Sequence, residues 1–234
     1  MKTIGLIGGL GPEATKDYYS EIISRFRELN PGTEFFHPEM VIYSVNMKVF
    51  ADNLWNGRYD EAADYLAACI EKIRKAGADF AAISANTPHY LFGEIQNKSS
   101  LPLISIVETA RSEAEKQGLK KTGLIGTKFT MKASFYSDSF SRSGIKVVVP
   151  EESDIEIINK KLFEELEVGI FRDETRNQLL DIVGKMITHD GIDSLILGCT
   201  EFPILFKEES YLGIPFLNTT RIHVRRIVDT CLEN

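Results

Sequence analysis

A cysteine stands at the end of an apolar run in "LILGCTEFPIL", residues 195–205. Thr200 and Glu201 follow Cys199 directly. A thiol at the predicted start of a helix is expected to have a lowered pKa, and a thiolate near neutral pH can act as a general base toward a carbon acid. Glu201 is interpreted either as a group that polarises this thiol or as a carboxylate of the first helical turn.

A glycine-rich loop follows the first apolar run, in "GLIGGLGPEAT". Gly9, Leu10 and Gly11 precede Pro12, a residue that suits the first turn of a helix. Glycines let the backbone approach a ligand closely, and free N–H groups at a helix start favour an anion. The loop therefore predicts a carboxylate site, and a tight strand-to-helix turn without a ligand is the alternative.

The same loop is a loose version of the dinucleotide-binding motif, with Ala14 in place of the third glycine. That motif also needs an acidic residue at the end of the second strand, to bind the ribose. Here "MVIYSVN" ends in Ser44, Val45 and Asn46. The pattern therefore argues against dinucleotide binding.

Other polar side chains also follow apolar runs and could bind the carboxylates of a small ligand. Those that could donate hydrogen bonds are Asn46, Asn86, Thr87, Thr127, Thr130 and Thr200. Lys48, Lys160 and Lys161 are candidates for a second, distal carboxylate, and surface lysines are the alternative for all three. Turns use Asn and Thr in the same way, so no single loop decides between structure and binding.

Short apolar runs alternate with longer helical patterns along the whole chain. The predicted strands are "TIGLIG", "MVIYSV", "FAAISA", "LPLISI", "TGLIGT", "IKVVVP", "SLILGC" and "IPFLNT". Residues 59–76 predict a helix, whose apolar stripe includes Cys69 as a core residue. This alternation is typical of parallel α/β architecture, in which ligands bind beyond the carboxyl ends of the strands.

The chain also resembles itself. "GADFAAISANTPHYL", from residue 77, matches "GIDSLILGCTEFPIL", from residue 191, and the flanking strands match in the same order. The repeat predicts two similar parallel-sheet α/β domains, 1–100 with 211–234 and 101–210. If a pseudo-twofold axis relates them, equivalent loops face one another across a cleft. In this alignment Ala85 is the counterpart of Cys199, so a thiol on one side corresponds to a methyl group on the other.

Composition narrows the class of protein. The 234 residues are 43% hydrophobic and carry a net charge of -7, which argues against broad, non-specific binding to nucleic acid. No run reaches the roughly 18 apolar residues of a membrane span, and no targeting signal is recognised. Three cysteines, Cys69, Cys199 and Cys231, form neither a disulfide framework nor a metal motif, which favours a reducing cytoplasm.

Taken together, "IGLIGGLGPEAT", "ANTPH", "LIGTKFTM" and "GCTEFPIL" resemble the aspartate/glutamate racemase family of cofactor-independent amino-acid racemases, and its aspartate racemase branch in particular. The resemblance covers nearly the whole chain. It implies two α/β domains with the active site between them, no pyridoxal phosphate, no metal, and a homodimer. It also implies two residues flanking the substrate α-carbon, usually two cysteines, of which the second maps onto Cys199.

The first cysteine of the family maps onto Ala85, so this sequence departs from the pattern at a catalytic position. Inversion would then need Ser84, Thr87, His89 or a water molecule as the second proton donor. The favoured function is a racemase or epimerase of an acidic or other small amino acid. The alternatives are a single-cysteine decarboxylase or isomerase of a dicarboxylate, and a protein that binds an amino acid or dicarboxylate without turning it over.

Overall fold

The computed structural model describes residues 1–32 and 35–233, and it divides the chain into two compact units. The first unit is Met1–Ile106 together with the chain from His223 onward. The second unit is Val107–Ile222. Within the described residues no helix is long and apolar enough to cross a membrane.

Strands and helices alternate in both units, as the sequence predicts. The strands are β1 (Ile4–Gly8), β2 (Met40–Ser44), β3 (Phe80–Ile83), β4 (Leu103–Ile104), β5 (Lys121–Gly126), β6 (Lys146–Val148), β7 (Ser194–Gly198), β8 (Ser210–Tyr211) and β9 (Ile214–Asn218). The helices are α1 (Pro12–Leu29), α2 (Met47–Trp55), α3 (Tyr59–Lys75), α4 (Phe92–Lys98), α5 (Ile106–Lys116), α6 (Lys128–Lys132), α7 (Phe135–Ser141), α8 (Glu152–Glu164), α9 (Asp173–Lys185), α10 (Phe202–Leu205) and α11 (Thr219–Leu232). Short 3₁₀ turns occupy Thr87–Leu91 and Leu166–Val168, and a π-helical turn occupies Met186–Asp190.

Each unit is built on one sheet, and the two sheets repeat the same strand order. The first sheet runs β2-β1-β3-β4 and the second runs β6-β5-β7-β9-β8, with every pairing parallel except the one between β8 and β9. The central strands β1, β3 and β7 are buried at every residue, as expected for parallel strands covered by helices. The predicted class, two similar parallel-sheet α/β units, is confirmed.

The unit boundaries differ from the predicted ones. Strand β4 pairs with β3, so the chain stays in the first unit to Ile106 rather than ending at residue 100. Strand β9 pairs with β7, so residues 211–222 belong to the second unit rather than to the C-terminal return. Backbone pairing decides both cases, because each apolar run completes the sheet of the strand before it.

Apolar helix faces fill the core of each unit. In the first unit, α1 contributes Tyr18, Ile22 and Phe26 to a cluster that also includes residues of α11. The predicted helix over 59–76 is α3, and Cys69 is a buried core residue as expected. In the second unit, α8 and α9 cover β5 and β7 with leucine, isoleucine and valine side chains. Both sheets are thus rigid supports for the loops at their strand ends.

Candidate active site

The glycine loop after β1 depends on the absence of side chains. Gly9 has φ 78° and Gly11 has φ 120°, values that other residues rarely adopt. A Cβ at Gly9 would come within 2.6 Å of Ser44 Oγ and of the Val45 carbonyl oxygen. Close packing against the end of β2 therefore requires glycine at position 9, whether or not a ligand binds.

Only part of this loop has backbone donors free for an anion. The Gly9 N–H donates to Thr15 Oγ1 at 2.9 Å, and Thr15 Oγ1 donates to the Gly11 carbonyl at 3.2 Å. The Gly9 N–H is therefore not available to hold a ligand carboxylate in this conformation. The N–H groups of Leu10 and Gly11 bond no described residue and lie at the start of the 18-residue helix α1.

Two predicted ligand residues after β2 serve the local structure instead. Asn46 caps α2, with its Oδ1 accepting from the Lys48 N–H at 3.1 Å, and its own N–H donates to Tyr65 Oη at 2.8 Å. Lys48 is mostly exposed and pairs with Asp52 at 2.6 Å. Lys48 therefore has a surface position and an ion-pair partner, and its role in binding a carboxylate stays a prediction.

The loop after β3 places Ala85, Asn86 and Thr87 in sequence at the same edge of the sheet as the glycine loop. Ala85 and Asn86 are buried, and Thr87 begins the 3₁₀ turn. Ser84 donates its hydroxyl proton to the Ile7 carbonyl at 3.0 Å, so it is committed to the sheet. Of these neighbours, Thr87 is the half-buried hydroxyl that a ligand could reach.

His89, a candidate proton donor, is engaged at both ring nitrogens. The Ile106 N–H donates to its Nε2 at 3.2 Å, so its Nδ1–H must donate to the Ala85 carbonyl at 2.9 Å. His223 packs edge-on against it, donating from Nε2 to the Ile104 carbonyl and accepting at Nδ1 from Tyr18 Oη. Burial lowers the pKa of His89 to about 3 and that of His223 to about 4.

This histidine pair predicts acid-sensitive stability. Below pH 6.5 both histidines bind protons in the unfolded chain, whereas in the folded protein they stay neutral. The free energy of unfolding therefore falls as the pH decreases from 6.5 toward 4. Each histidine is expected to cost roughly 2 kcal/mol of unfolding free energy at pH 5. Urea unfolding at pH 7.5 and 5.0 measures this loss, and His223→Gln should reduce it.

The exposed His189 supplies the control, because His189→Gln should leave the pH dependence unchanged. An equal loss in wild type and His223→Gln would contradict the assignment.

In the second unit, Thr127 and Thr130 follow β5. Thr127 caps α6, accepting from the Thr130 N–H at 3.1 Å and donating its hydroxyl proton to Thr130 Oγ1 at 3.0 Å. Thr130 is fully buried, and a Cβ at Gly126 would lie 3.2 Å from its Cβ. These threonines shape the turn, and only the half-buried Thr127 retains access to a ligand.

Cys199 and Glu201 form a hydrogen-bonded pair at the carboxyl end of β7. The Cys199 thiol donates to Glu201 Oε2 at 2.8 Å, and Thr200 Oγ1 donates to the same carboxylate at 3.0 Å. All three residues are buried. A thiol held against a carboxylate has an acceptor in place for its proton, which is the arrangement that general-base chemistry at sulfur requires.

The expected low pKa of this thiol is wrong. Burial, followed by the nearby Glu201 and Glu167 carboxylates, raises the pKa of Cys199 well above its usual range. The helix that follows, α10, has only four residues, and the negatively charged Glu201 stands directly before its first residue, Phe202. Desolvation and like charge therefore outweigh any helix-end effect, and Cys199 is a neutral thiol until the charge around it changes.

Glu167 completes this group, and sequence reasoning missed it. It lies in the 3₁₀ turn after α8, and its carboxylate, Cys199 Sγ and the Glu201 carboxylate lie within 4.8 Å of one another. Burial and Glu201 raise the pKa of Glu167 to about 7. In the sequence Glu167 stands in the acidic stretch "FEELEVG", which is typical of an exposed helix face, so no signal distinguished it.

Comparison with known proteins assigns the family. The Asp/Glu/hydantoin racemase model matches residues 7–227. The chain belongs to this family.

Similar proteins of known sequence or structure support the assignment of this chain to the racemase family. It is 30% identical over 146 residues to the broad-specificity amino-acid racemase RacX of Bacillus subtilis (strain 168), a match that spans 62% of this chain and 63% of RacX. Its structure is similar to that of an aspartate racemase homologue from Pyrococcus horikoshii OT3, with 34% identity, full coverage of both chains and a TM-score of 0.85. The fold is also shared with the Picrophilus torridus aspartate racemase, at 20% identity, 99% and 94% coverage and a TM-score of 0.80.

Glu167, Cys199 and Glu201 are also residue types that bind divalent cations. A thiol ligates a cation as thiolate, after its proton has left. With the proton in place, the Cys199 sulfur donates to Glu201, as the acid of an acid–base pair does. The two other lysines proposed for a distal carboxylate are engaged elsewhere: Lys161 pairs with Glu165 at 2.5 Å, and the exposed Lys160 lies 4.0 Å from Glu164.

Proposed function

We propose that this protein is a cofactor-independent amino-acid racemase or epimerase in which Cys199 transfers the substrate α-proton. The observation that carries the proposal is the buried Cys199 thiol, which donates to the Glu201 carboxylate at 2.8 Å at the end of a central parallel strand. Membership of the racemase family supports it. The predicted substrate class, an acidic or other small amino acid, is part of this proposal.

The proposed proton transfer uses the hydrogen-bonded pair of Cys199 and Glu201. The Cys199 thiol proton passes to Glu201, and the resulting thiolate removes the α-hydrogen as a proton, leaving the electron pair on the substrate carbanion. Return of a proton from Cys199 to the same face restores the substrate with solvent hydrogen, and delivery to the opposite face inverts it. We propose that the N–H groups of Leu10 and Gly11 at the start of α1 hold the substrate carboxylate, with Thr87, Asn86, Thr127 and Thr200 as further donors.

Ala85 supports a second candidate. With a methyl group where the family resemblance implies a first cysteine, a single-base reaction is the simplest chemistry, and a decarboxylase or isomerase of a dicarboxylate needs only one cysteine. Such an enzyme would process a dicarboxylate without exchanging the α-proton of an amino acid. Binding without turnover is the third candidate, and it predicts neither reaction.

The test is solvent deuterium incorporation. We expect the protein to introduce deuterium at the α-position of at least one amino acid in a mixture incubated in D₂O, because the thiol equilibrates with solvent between turnovers. NMR reports the exchange, and chiral chromatography reports inversion. Loss of carbon dioxide from a dicarboxylate, with no exchange into any amino acid, would favour the decarboxylase instead.

Assembly and location belong to the same proposal. The family resemblance and the cysteine content lead us to propose a homodimer in a reducing cytoplasm, with a small amino acid as the binding partner and neither nucleic acid nor membrane. Sedimentation of the purified protein tests the dimer.

A further inference from the structure

The charge around Cys199 is unbalanced. Two carboxylates, Glu167 and Glu201, lie within 4.8 Å of the sulfur and of each other, and Glu201 is 97% buried, since only 3% of its surface is exposed. Like charges at this distance repel, and removal from water strengthens the repulsion. A group of this kind is stabilised when a positive charge enters it.

Other buried acids of the second unit already have such a partner. The Asp154 carboxylate pairs with Lys185 Nζ at 3.0 Å, and the Glu165 carboxylate pairs with Lys161 Nζ at 2.5 Å. Among the described residues, neither Glu167 nor Glu201 forms an ion pair with a lysine, arginine or histidine, and Glu167 accepts no hydrogen bond. The group at Cys199 is therefore the exception in a unit that otherwise neutralises its buried carboxylates.

The charge of the substrate decides whether it neutralises the Glu167 and Glu201 carboxylates or adds further negative charge beside them. Every amino acid brings one α-ammonium and one α-carboxylate, so the side chain decides the net charge delivered to the site. An acidic side chain places a second carboxylate within a few ångströms of the α-carbon, and hence near Glu167 and Glu201. A basic side chain brings a second cation and leaves both carboxylates with a partner.

We infer that Glu167 is a specificity-determining residue and that, together with Glu201, it selects amino acids with a cationic side chain over acidic ones. This inference rests on the proposed function, because it takes Cys199 as the residue that meets the α-carbon. It replaces the acidic substrate class of the sequence-based prediction with basic amino acids such as lysine and ornithine. The same cation would also aid ionisation of the thiol, since it offsets the carboxylates that raise the pKa of Cys199.

The experiment compares substrates in the wild-type protein and in Glu167→Gln, at pH 8, where Glu167 is ionised. We expect α-deuterium exchange to have a higher kcat/KM for lysine and ornithine than for aspartate and glutamate, by roughly 10-fold or more. Glu167→Gln should lower that ratio about tenfold, because one of the two charges is gone. Glu164→Gln, on the exposed end of α8, is the matched control and should leave the ratio unchanged.

The outcomes separate this inference from the proposed function. Exchange of aspartate or glutamate as fast as lysine would overturn the charge selection and leave the racemase proposal standing. If no amino acid exchanges, the racemase proposal fails, and the thermal shift produced by lysine and by aspartate then tests charge selection directly. A larger shift with lysine that is lost in Glu167→Gln supports it, and equal shifts overturn it. The wild-type preference needs no variant, so misfolding of Glu167→Gln would not remove the test.

Discussion

Replacing Cys199 by serine is expected to abolish α-proton exchange while the fold is retained. The serine hydroxyl is a far weaker acid than the thiol, and Glu201 can accept its hydrogen bond without producing a useful base. Loss of the sole catalytic base should lower kcat about 10²–10⁴-fold or more. Deuterium wash-in followed by NMR measures the rate, with circular dichroism to establish that the variant is folded.

Cys231→Ser provides the control. Cys231 is also buried and donates to the Lys2 carbonyl at 2.9 Å, a bond that a serine hydroxyl can replace. Exchange in this variant should stay near the wild-type rate. Wild-type exchange in Cys199→Ser would remove Cys199 from the chemistry and with it the proposed function.

The second large effect is expected at position 85. In the internal alignment Ala85 is the counterpart of Cys199, and each follows the strand that pairs with the first strand of its own unit, β3 with β1 and β7 with β5. With one thiol, the native protein should exchange the α-proton of one enantiomer faster than it inverts it. Ala85→Cys should raise inversion relative to exchange by roughly 10-fold or more, because a second thiol can act as a general acid.

Ala85→Ser is the matched comparison for this variant. It adds a similar volume at a buried position and a hydroxyl that is a much weaker acid than a thiol, so it should raise inversion far less than Ala85→Cys does. Chiral chromatography beside NMR exchange gives the ratio for both enantiomers of lysine, ornithine, aspartate and glutamate. Rapid inversion by the native protein, with no gain in Ala85→Cys, would show that another group already delivers the second proton. Thr87 would then be the first to replace, because both ring nitrogens of His89 are engaged.

Strand positions were the most predictable part of the molecule. Runs such as "TGLIGT" and "SLILGC" are apolar at their centres because both faces of a parallel strand are covered, and the structure has a strand at each predicted run. Strand β8 was missed because it is two residues of an antiparallel edge, Ser210–Tyr211, with no apolar run to mark it. The boundaries between units were misplaced because pairing of β4 and β9 is a long-range property.

The site was predictable in its parts and not in its electrostatics. Cys199 and Glu201 stand together in the sequence, so their pairing needed no knowledge of the fold. The raised pKa of the thiol depends on burial and on Glu167, which lies 32 residues before Cys199 in the chain. Spacing along a sequence carries no information about such an approach, and so neither Glu167 nor the direction of the pKa shift was expected.

Helix α11 packs against strand β1 of the first unit, from which it is separated by most of the chain. Its Val224, Ile227, Val228 and Cys231 pack with Ile4 and Leu6 of β1, and the Lys2 N–H donates to the Cys231 carbonyl at 2.8 Å. During synthesis the ribosome makes all of the second unit before it makes the part of this helix that belongs to the first unit, from His223 onward. The second unit can therefore complete its core while the first unit still exposes the apolar surface of its sheet that these α11 residues cover.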